Sequence, residues 1–530
     1  MRETNASITE YVQSYNTVWD ELMKDEAHLD LALREYGHGS VYTTWNISFE
    51  SVKRKNEDAA KFLQLWSYLG NGDIWYELFN NKQNPDLHKW SAPPEWFKRV
   101  VGGKTGFRKA VRVLLAYSLV EAKEDFDAFA MHPVVHEWCR NTMDADQRQE
   151  MAFLAITTVG FAVPSQMDFG DWRLQLRLLP HASQWLQRLK SAEDKTLCEG
   201  DWFALDRAIY NLGILHYHQT KFAEAERLFQ RVLDSRDRNP QPELGESDLT
   251  TDVCYLLGQI YLTLGKLVAA EAIFKRAQKG IEVFSGPDDL GWIKMTRRLG
   301  EVYREQEKLA KAESTMQQAL SASMRTVGPE HDITLHCIHD IALGYMDQGN
   351  LIKAEKMFKQ ALAGYESALG PDHFSTLRTV RSLSYIYRKQ GKIAEAEASN
   401  QRAILGFEKL LGPHHLWTSD AIFEQGILHK CQNRLEDAEA AFRRVLAGYQ
   451  NALGPENKST LSAYRNLGYV LYRQGKLVEA GPIFEQFLSG SKKTFGADHQ
   501  WTKDAANDLS KVYEEQGRLA EAEAILQSIS

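Results

Sequence analysis

Three short segments carry residue types that could do chemistry. Gly103-Lys104-Thr105 matches the end of a phosphate-binding loop, in which backbone N–H groups cradle the phosphates and the lysine reaches the outer ones. Such a loop also needs a glycine five positions before Gly103, an apolar strand ahead and a helix behind. Position 98 is lysine and the run ahead is Trp96-Phe97-Lys98-Arg99, so the segment reads as a solvated loop before a helix beginning near Phe107. His132 and His136 are four apart, as two zinc ligands on one helix face would be, but no glutamate follows His132 and Pro133 lies between them. His136 reads as a packing residue. His331, His336, Cys337 and His339 also cluster, yet His331 fills a slot that returns as His373, His415 and His499, and a recurring slot is structural. Paired carboxylates such as Glu301 and Glu305 fall on a solvent-facing helix surface, and no Ser/His/Asp or Cys/His arrangement stands out. The expectation is a chain with no enzymatic activity, no metal and no cofactor.

The elements that must carry these residues follow from one interval. Gly286, Gly328, Gly370, Gly412, Gly454 and Gly496 recur every 42 residues, the first five followed by proline, and so strict a period means stacked copies of one supersecondary unit. A turn slot holds Gly265, Gly349, Gly391, Gly475 and Gly517, with Thr220, Glu307 and Asn433 in the same place, giving eight units. Five residues after each turn stands alanine: Ala225, Ala270, Ala312, Ala354, Ala396, Ala438, Ala480 and Ala522. Seven residues before it the side chain is always small, from Gly213 to Ser510, so that two helices can approach closely. A third column, Phe229, Phe274, Met316, Phe358, Phe442, Phe484 and Leu526, is spaced to reach the neighbouring unit, and Asn400 interrupts it at a weaker joint. Each unit reads as helix, tight turn, second helix, then a loop ended by Gly-Pro. The threonines after the prolines (Thr334, Thr376, Thr418, Thr460, Thr502) or the preceding Asp should cap the next helix. Pro482 should fall in the first turn of its helix, where proline is tolerated.

The columns of small, aromatic, turn-glycine and alanine positions resemble the tetratricopeptide repeat. The 42-residue spacing, with Leu-Gly-Pro-x-His-x-x-Thr and Gly-Lys-Leu-x-Glu-Ala-Glu, resembles the kinesin-light-chain variety over residues 201–530. The fold this implies is a mostly α, right-handed solenoid.

Composition excludes other classes. The net charge of −8 is mild and evenly shared, which argues against nucleic-acid or membrane-surface binding. Five scattered cysteines give neither a disulfide framework nor a zinc ribbon. No apolar run approaches the roughly 18 residues of a membrane span, so the expected location is the cytoplasm.

Residues 1–200 lack the period and are rich in tryptophan (Trp45, Trp66, Trp75, Trp90, Trp96). Thr43-Thr44 could cap a helix through Ile47, Phe49 and Val52, and Asp58 could start another through Phe62 and Trp66. Phe107 to Tyr117 is apolar at helical spacing, Ser118 to Met131 alternates as a β-hairpin would around Lys123-Glu124-Asp125, and Pro133 opens a final helix. We therefore expect a helical lead-in over 1–35, a small winged-helix-like domain with a β-hairpin over 36–145, connecting helices over 146–200 and the eight repeats over 201–530. Tyr42-Thr43-Thr44-Trp45, Ala59-Ala60-Lys61 and the run from Ser118 to Trp138 resemble the winged-helix segment of fungal NLR-like proteins, which place a nucleotide-binding domain before it and tetratricopeptide repeats after it. In that family a Met-His-Asp triplet stands where Met131-His132-Pro133 stand. The resemblance carries a nucleotide contact to His132 alone, because Pro133 replaces the acid.

Transferring the groove columns of the resembled repeats gives Lys294, Arg297, Arg304, His339, Arg378, Arg381, Tyr385, Arg388, Lys389, Lys430, Arg465, Tyr469, Tyr472 and Arg473, against Glu301, Glu305, Asp347 and Asp420. The expected function is a non-enzymatic protein-interaction scaffold, the ligand-recognition part of an NLR-like signalling protein, with a protein or acidic peptide in the groove. The alternative for the groove is that its arginines pair within the protein, repeat to repeat. The alternatives for the function are a nucleotide-dependent switch and a kinesin-light-chain-like cargo adaptor, which would need heptad sequence that is absent.

Overall fold

In the computed structural model, residues 39–80, 93–123, 127–164, 172–188, 202–238 and 248–527 are described. They fall into two compact units, one within 1–162 and 180–201, the other within 163–179 and 202–530. The helical lead-in over 1–35, Trp90, and the tip of the expected hairpin lie outside the described residues.

The larger unit contains eight helix pairs. The first and second helices of repeats 1 to 8 are Trp202–His218 and Phe222–Arg238, Asp248–Thr263 and Leu267–Phe284, Leu290–Glu305 and Leu309–Thr326, Asp332–Asp347 and Leu351–Leu369, Phe374–Lys389 and Ile393–Leu411, Leu416–Cys431 and Leu435–Leu453, Lys458–Arg473 and Leu477–Phe495, and Gln500–Glu515 and Leu519–Gln527. Every member of the alanine column is buried between helices. The turn slot is left-handed throughout: Gly391 has φ 78°, and Thr220, Glu307 and Asn433 hold φ 56°, 60° and 61° at the same position. That conformation lets the next N–H bond back to the end of the first helix, as Lys266 does to the Tyr261 carbonyl at 2.8 Å. Residues with a Cβ tolerate it at some strain.

Four details depart from the sequence expectations. The aromatic column packs inside its own repeat: a Cβ on Gly468 would lie 2.8 Å from the Phe484 ring, and Gly213 and Gly426 face Phe229 and Phe442 in the same way. The small residue is thus the seat of the ring that stands four positions after the alanine of the same repeat. Asn400 does reach across, its amide donating to the Ala421 carbonyl of repeat 6 at 3.0 Å, so a polar link replaces the ring there. In repeats 4, 5, 6 and 8 the N-caps are histidines: Nδ1 of His331, His373, His415 and His499 accepts the N–H two residues on. Asp289 and Asn457 cap repeats 3 and 7, and the threonine hydroxyls donate to the loop-glycine carbonyls, as Thr376 does to Gly370 at 2.8 Å. Pro482 lies in the interior of Leu477–Phe495, past its first turn, because that helix starts directly after the left-handed turn.

The repeats also meet at long range. Asn457, the N-cap of repeat 7, donates to the Thr263 carbonyl at the end of the first helix of repeat 2, at 3.3 Å. His415 of repeat 6 bonds the His218 backbone at the corresponding point of repeat 1. Both contacts join units five apart, so one superhelical turn closes against the next along this seam.

In the smaller unit, helices Gly39–Lys55, Glu57–Trp66, Glu95–Val101 and Lys104–Ala116 precede a hairpin of β2 (Glu121–Ala122) and β3 (Ala128–Ala130), and Pro133–Asn141 and Ala145–Ala162 follow it. β3 also pairs with β1 (Ile74–Trp75), giving a three-stranded antiparallel sheet in the order β1-β3-β2. The core is aromatic: Phe62 lies with ring centroids 5.0 Å from Phe79 and 5.7 Å from Phe107. The first helix is already running at Gly39, so Thr43 and Thr44 are interior to it. Asn56, not Asp58, caps the second, and Asp58 instead takes Arg99 at 2.8 Å. The expected connecting helices correspond to Ala145–Ala162 and to Trp172–Arg188, which contains Pro180 at the boundary of the two units.

Candidate functional site: the inner face of the repeats

The tempting motifs of the smaller unit have structural employment. Gly103 is the N-cap residue of Lys104–Ala116, and Lys104 pairs with Glu77 at 3.0 Å and lies over the Tyr76 ring, so the helix starts three residues earlier than its apolar pattern suggests. His136 is buried and bonded to the Leu69 carbonyl at 2.8 Å. His132 is exposed, and its Nδ1 accepts the Val134 N–H at 3.3 Å, capping the helix that Pro133 opens.

The groove candidates lie on the first helices of repeats 3 to 7, and five of their ten arginines and lysines are answered by a carboxylate of the following repeat. Arg297 reaches Asp340 at 2.5 Å and Arg304 reaches Asp347 at 2.5 Å, from repeat 3 to repeat 4. Arg388 meets Glu424 at 2.5 Å and Arg381 meets Asp420 at 3.8 Å, from repeat 5 to repeat 6. Arg465 meets Asp504 at 3.0 Å, and the Tyr472 hydroxyl donates to Glu515, from repeat 7 to repeat 8. Basic and acidic repeats therefore alternate along this face. The alternative reading of the sequence, arginines paired from repeat to repeat, describes these residues. Asp340, Glu424, Asp504 and Glu515 are absent from the sequence-derived site, although the first three stand 36 to 43 residues after an arginine of that site and Glu515 stands 43 after Tyr472.

The pairs differ in depth. Arg297 and Asp340 leave only 4% and 3% of their side chains exposed, whereas Arg465 keeps 42%. Burial alone would push the Asp340 carboxyl up, but Arg297, then the hydrogen bond from His339 and then Arg378 hold it well below the usual carboxylate range. Burial would likewise raise the Tyr255 phenol, and the guanidiniums of Arg298 and Arg297 instead draw it down to about 8. His339 lies behind this surface, 1% exposed, packed on Phe358, and is held down to about 4 by burial and then by Arg378, so it presents a neutral ring and no charge to a ligand. Arg378 is buried near Tyr365 and Asp340.

Repeats 5 to 7 look different. Lys389 and Arg388 flank the Tyr385 ring at 5.4 and 5.0 Å, and Lys430 and Arg473 flank Tyr469 at 5.3 and 5.8 Å. Lys430 donates to the Asn466 amide oxygen at 2.6 Å, and Arg473 donates to the Tyr469 hydroxyl at 2.9 Å and to the Asn433 amide oxygen at 3.3 Å. These partners are neutral. Lys294 is exposed and has no ion pair among the described residues.

The sequence matches the tetratricopeptide repeat in overlapping copies that cover 249–451 and 459–529, more than half of the chain, with a further match over 210–283. The chain belongs to the tetratricopeptide repeat family. It is also 24% identical over 246 residues to a nucleotide-binding leucine-rich repeat (NLR)-like protein of Hyaloscypha variabilis, a match covering 44% of this chain and 22% of that protein. The chain thus spans less than a quarter of the length of that relative. Solved structures similar to these tetratricopeptide repeats include the kinesin light chain nearly identical repeats of Podosopora anserina, described as putative (22% identity, 38% of this chain and 95% of that one, TM-score 0.34). Another is a signal-transduction ATPase with a tetratricopeptide repeat sensor from Pyrococcus horikoshii (14% identity, 91% of this chain and 66% of that one, TM-score 0.36). Among the described residues no helix is long and apolar enough to cross a membrane.

Proposed function

We propose that the tetratricopeptide repeats hold a protein or peptide on their inner face, and that the chain is the ligand-recognition part of an NLR-like signalling protein in the cytoplasm, performing no reaction itself. The observation that supports this is the charge left over after repeat-to-repeat pairing: Lys389, Lys430 and Arg473, all on first helices, lie beside two tyrosines and meet only neutral partners among the described residues. An acidic segment suits them, because its carboxylates need not displace an internal acid. We read residues 36–145 as the winged helix of such a protein, on the order of its helices and hairpin. A nucleotide switch is the less favoured reading, since Lys104 is engaged with Glu77 and Tyr76.

Titration of the whole chain with acidic and basic peptides at two salt concentrations tests the reading. Micromolar binding of the acidic peptide, on the order of −7 to −9 kcal/mol, weakened by added salt, is the expected result. Equal affinity for both peptides removes the acidic ligand, and appreciable ADP or ATP binding in a parallel titration restores the switch.

A further inference from the structure

Tyr385 and Tyr469 occupy the same slot of their first helices two repeats apart, with Ile427 between them in repeat 6. Each is followed four residues later, on the same helix face, by a cation without a carboxylate partner among the described residues: Lys389 and Arg473. Lys430 lies between the two and joins the second set, 5.3 Å from the Tyr469 ring. Glu424, which could neutralise this end of the inner face, is taken by Arg388, and Glu515 accepts from the Tyr472 hydroxyl and is paired with neither Lys430 nor Arg473 among the described residues. Burial, and then the like charges of Arg388 and Arg465, draw the Lys430 ammonium down, as expected where positive potential accumulates. The shape of the occupant follows from the seam. With repeat 2 bonded to repeat 7 and repeat 1 to repeat 6, the inner face is closed along that flank, and an extended chain entering along the superhelix axis is the occupant that fits without breaking those contacts.

We propose that the inner face contains two equivalent subsites, one at Tyr385–Lys389 and one at Tyr469–Arg473 with Lys430, and that they take two acidic side chains of a single extended peptide, set apart by the span of two repeats. This rests on the peptide-binding reading above and adds a register to it. A guanidinium and an ammonium each form charge-assisted hydrogen bonds to carboxylate, and the tyrosine beside each adds a hydroxyl and an apolar ring face for the stem of the acidic side chain. Two weak subsites on one chain bind together only when the linker spans them, so affinity should peak at one spacing.

The test uses the full chain and fluorescent peptides carrying two Glu-Glu pairs separated by Gly-Ser spacers of increasing length, with a one-pair peptide for comparison. Affinity that peaks at one spacer length, at least tenfold above the one-pair peptide, is expected. Lys389→Glu and Arg473→Glu should each remove that peak and reduce the affinity to the one-pair value, while Lys409→Glu, on a second helix and paired with Asp372, should change it less than twofold. Lys389→Gln and Arg473→Gln serve if either reversal lowers the melting temperature. Binding that ignores spacer length, or that survives both reversals, overturns the two-subsite proposal and leaves peptide binding standing. Failure of every peptide to bind overturns the peptide-binding reading and this proposal with it.

Discussion

The inner faces of repeats 3–4 and of repeats 5–7 use the same basic residue types to different ends: Arg297 and Arg304 are paired with the next repeat, as are Arg381, Arg388 and Arg465, whereas Lys389 and Arg473 occupy a slot that repeat 3 fills with Glu305. In repeats 3–4, Arg297 is closed off with Asp340, with Arg298 on Tyr255 and Glu301 behind it, so its charge fixes the joint and is spent there. In repeats 5–7, Lys389 and Arg473 stand at the ends of their first helices, exposed and beside tyrosine rings. A cation in a repeat groove is therefore a joint or a contact point according to what the following repeat offers it. Counting basic residues in a column does not separate the two.

The contrast can be broken at its strongest point first. Asp340→Asn leaves Arg297 buried without a counter-charge, and urea unfolding should show a loss of about 3–5 kcal/mol. A loss below about 1 kcal/mol would mean that the pair is solvated and the two regions are alike. Acid probes the region of repeats 3–4 through His336 and His339, and the seam repeats 1 and 6 through His216 and His415. Burial, then Arg378, holds His339 at about 4, burial, then Arg297, holds His336 well below its ordinary value, and burial keeps His216 and His415 at about 4. Unfolded, each titrates near 6.5, so between roughly pH 6.5 and 4 the unfolded chain binds protons that the folded one refuses. Stability is present above that window and lost as pH falls through it; a melting temperature that stays level from pH 6.5 to 4.5 contradicts the assignment. The smallest effect belongs to the open region. Lys389→Ala should alter stability by no more than about 0.5 kcal/mol, measured in the same urea series as Asp340→Asn. A larger loss would make Lys389 a joint residue as well.

Much of the fold was legible. The alanine column, the turn slot and the small column each answer to geometry inside one hairpin of helices, which repeats whenever the sequence does; the rings, read as reaching the next unit, sit on the small residues of their own. The histidine slot was legible as structural but not as a cap, because a ring nitrogen accepting an N–H is a less familiar cap than a threonine hydroxyl, and here the hydroxyls turn to the loop-glycine carbonyls instead. The groove was legible only in part. Its columns could be read, but His339 faces inward against Phe358, and Arg297, Arg304 and Arg388 are answered by acids one repeat on.

By itself the sequence determined the unit, its length, its turn and the number of copies, since these depend on contacts within about 42 residues that the period writes out eight times. Tertiary structure alone decided which inner charges are neutralised and where repeats 1 and 2 meet repeats 6 and 7. Both depend on the small rotation and rise from each unit to the next, which accumulate over five repeats and are fixed by packing between copies rather than by any one copy's residues.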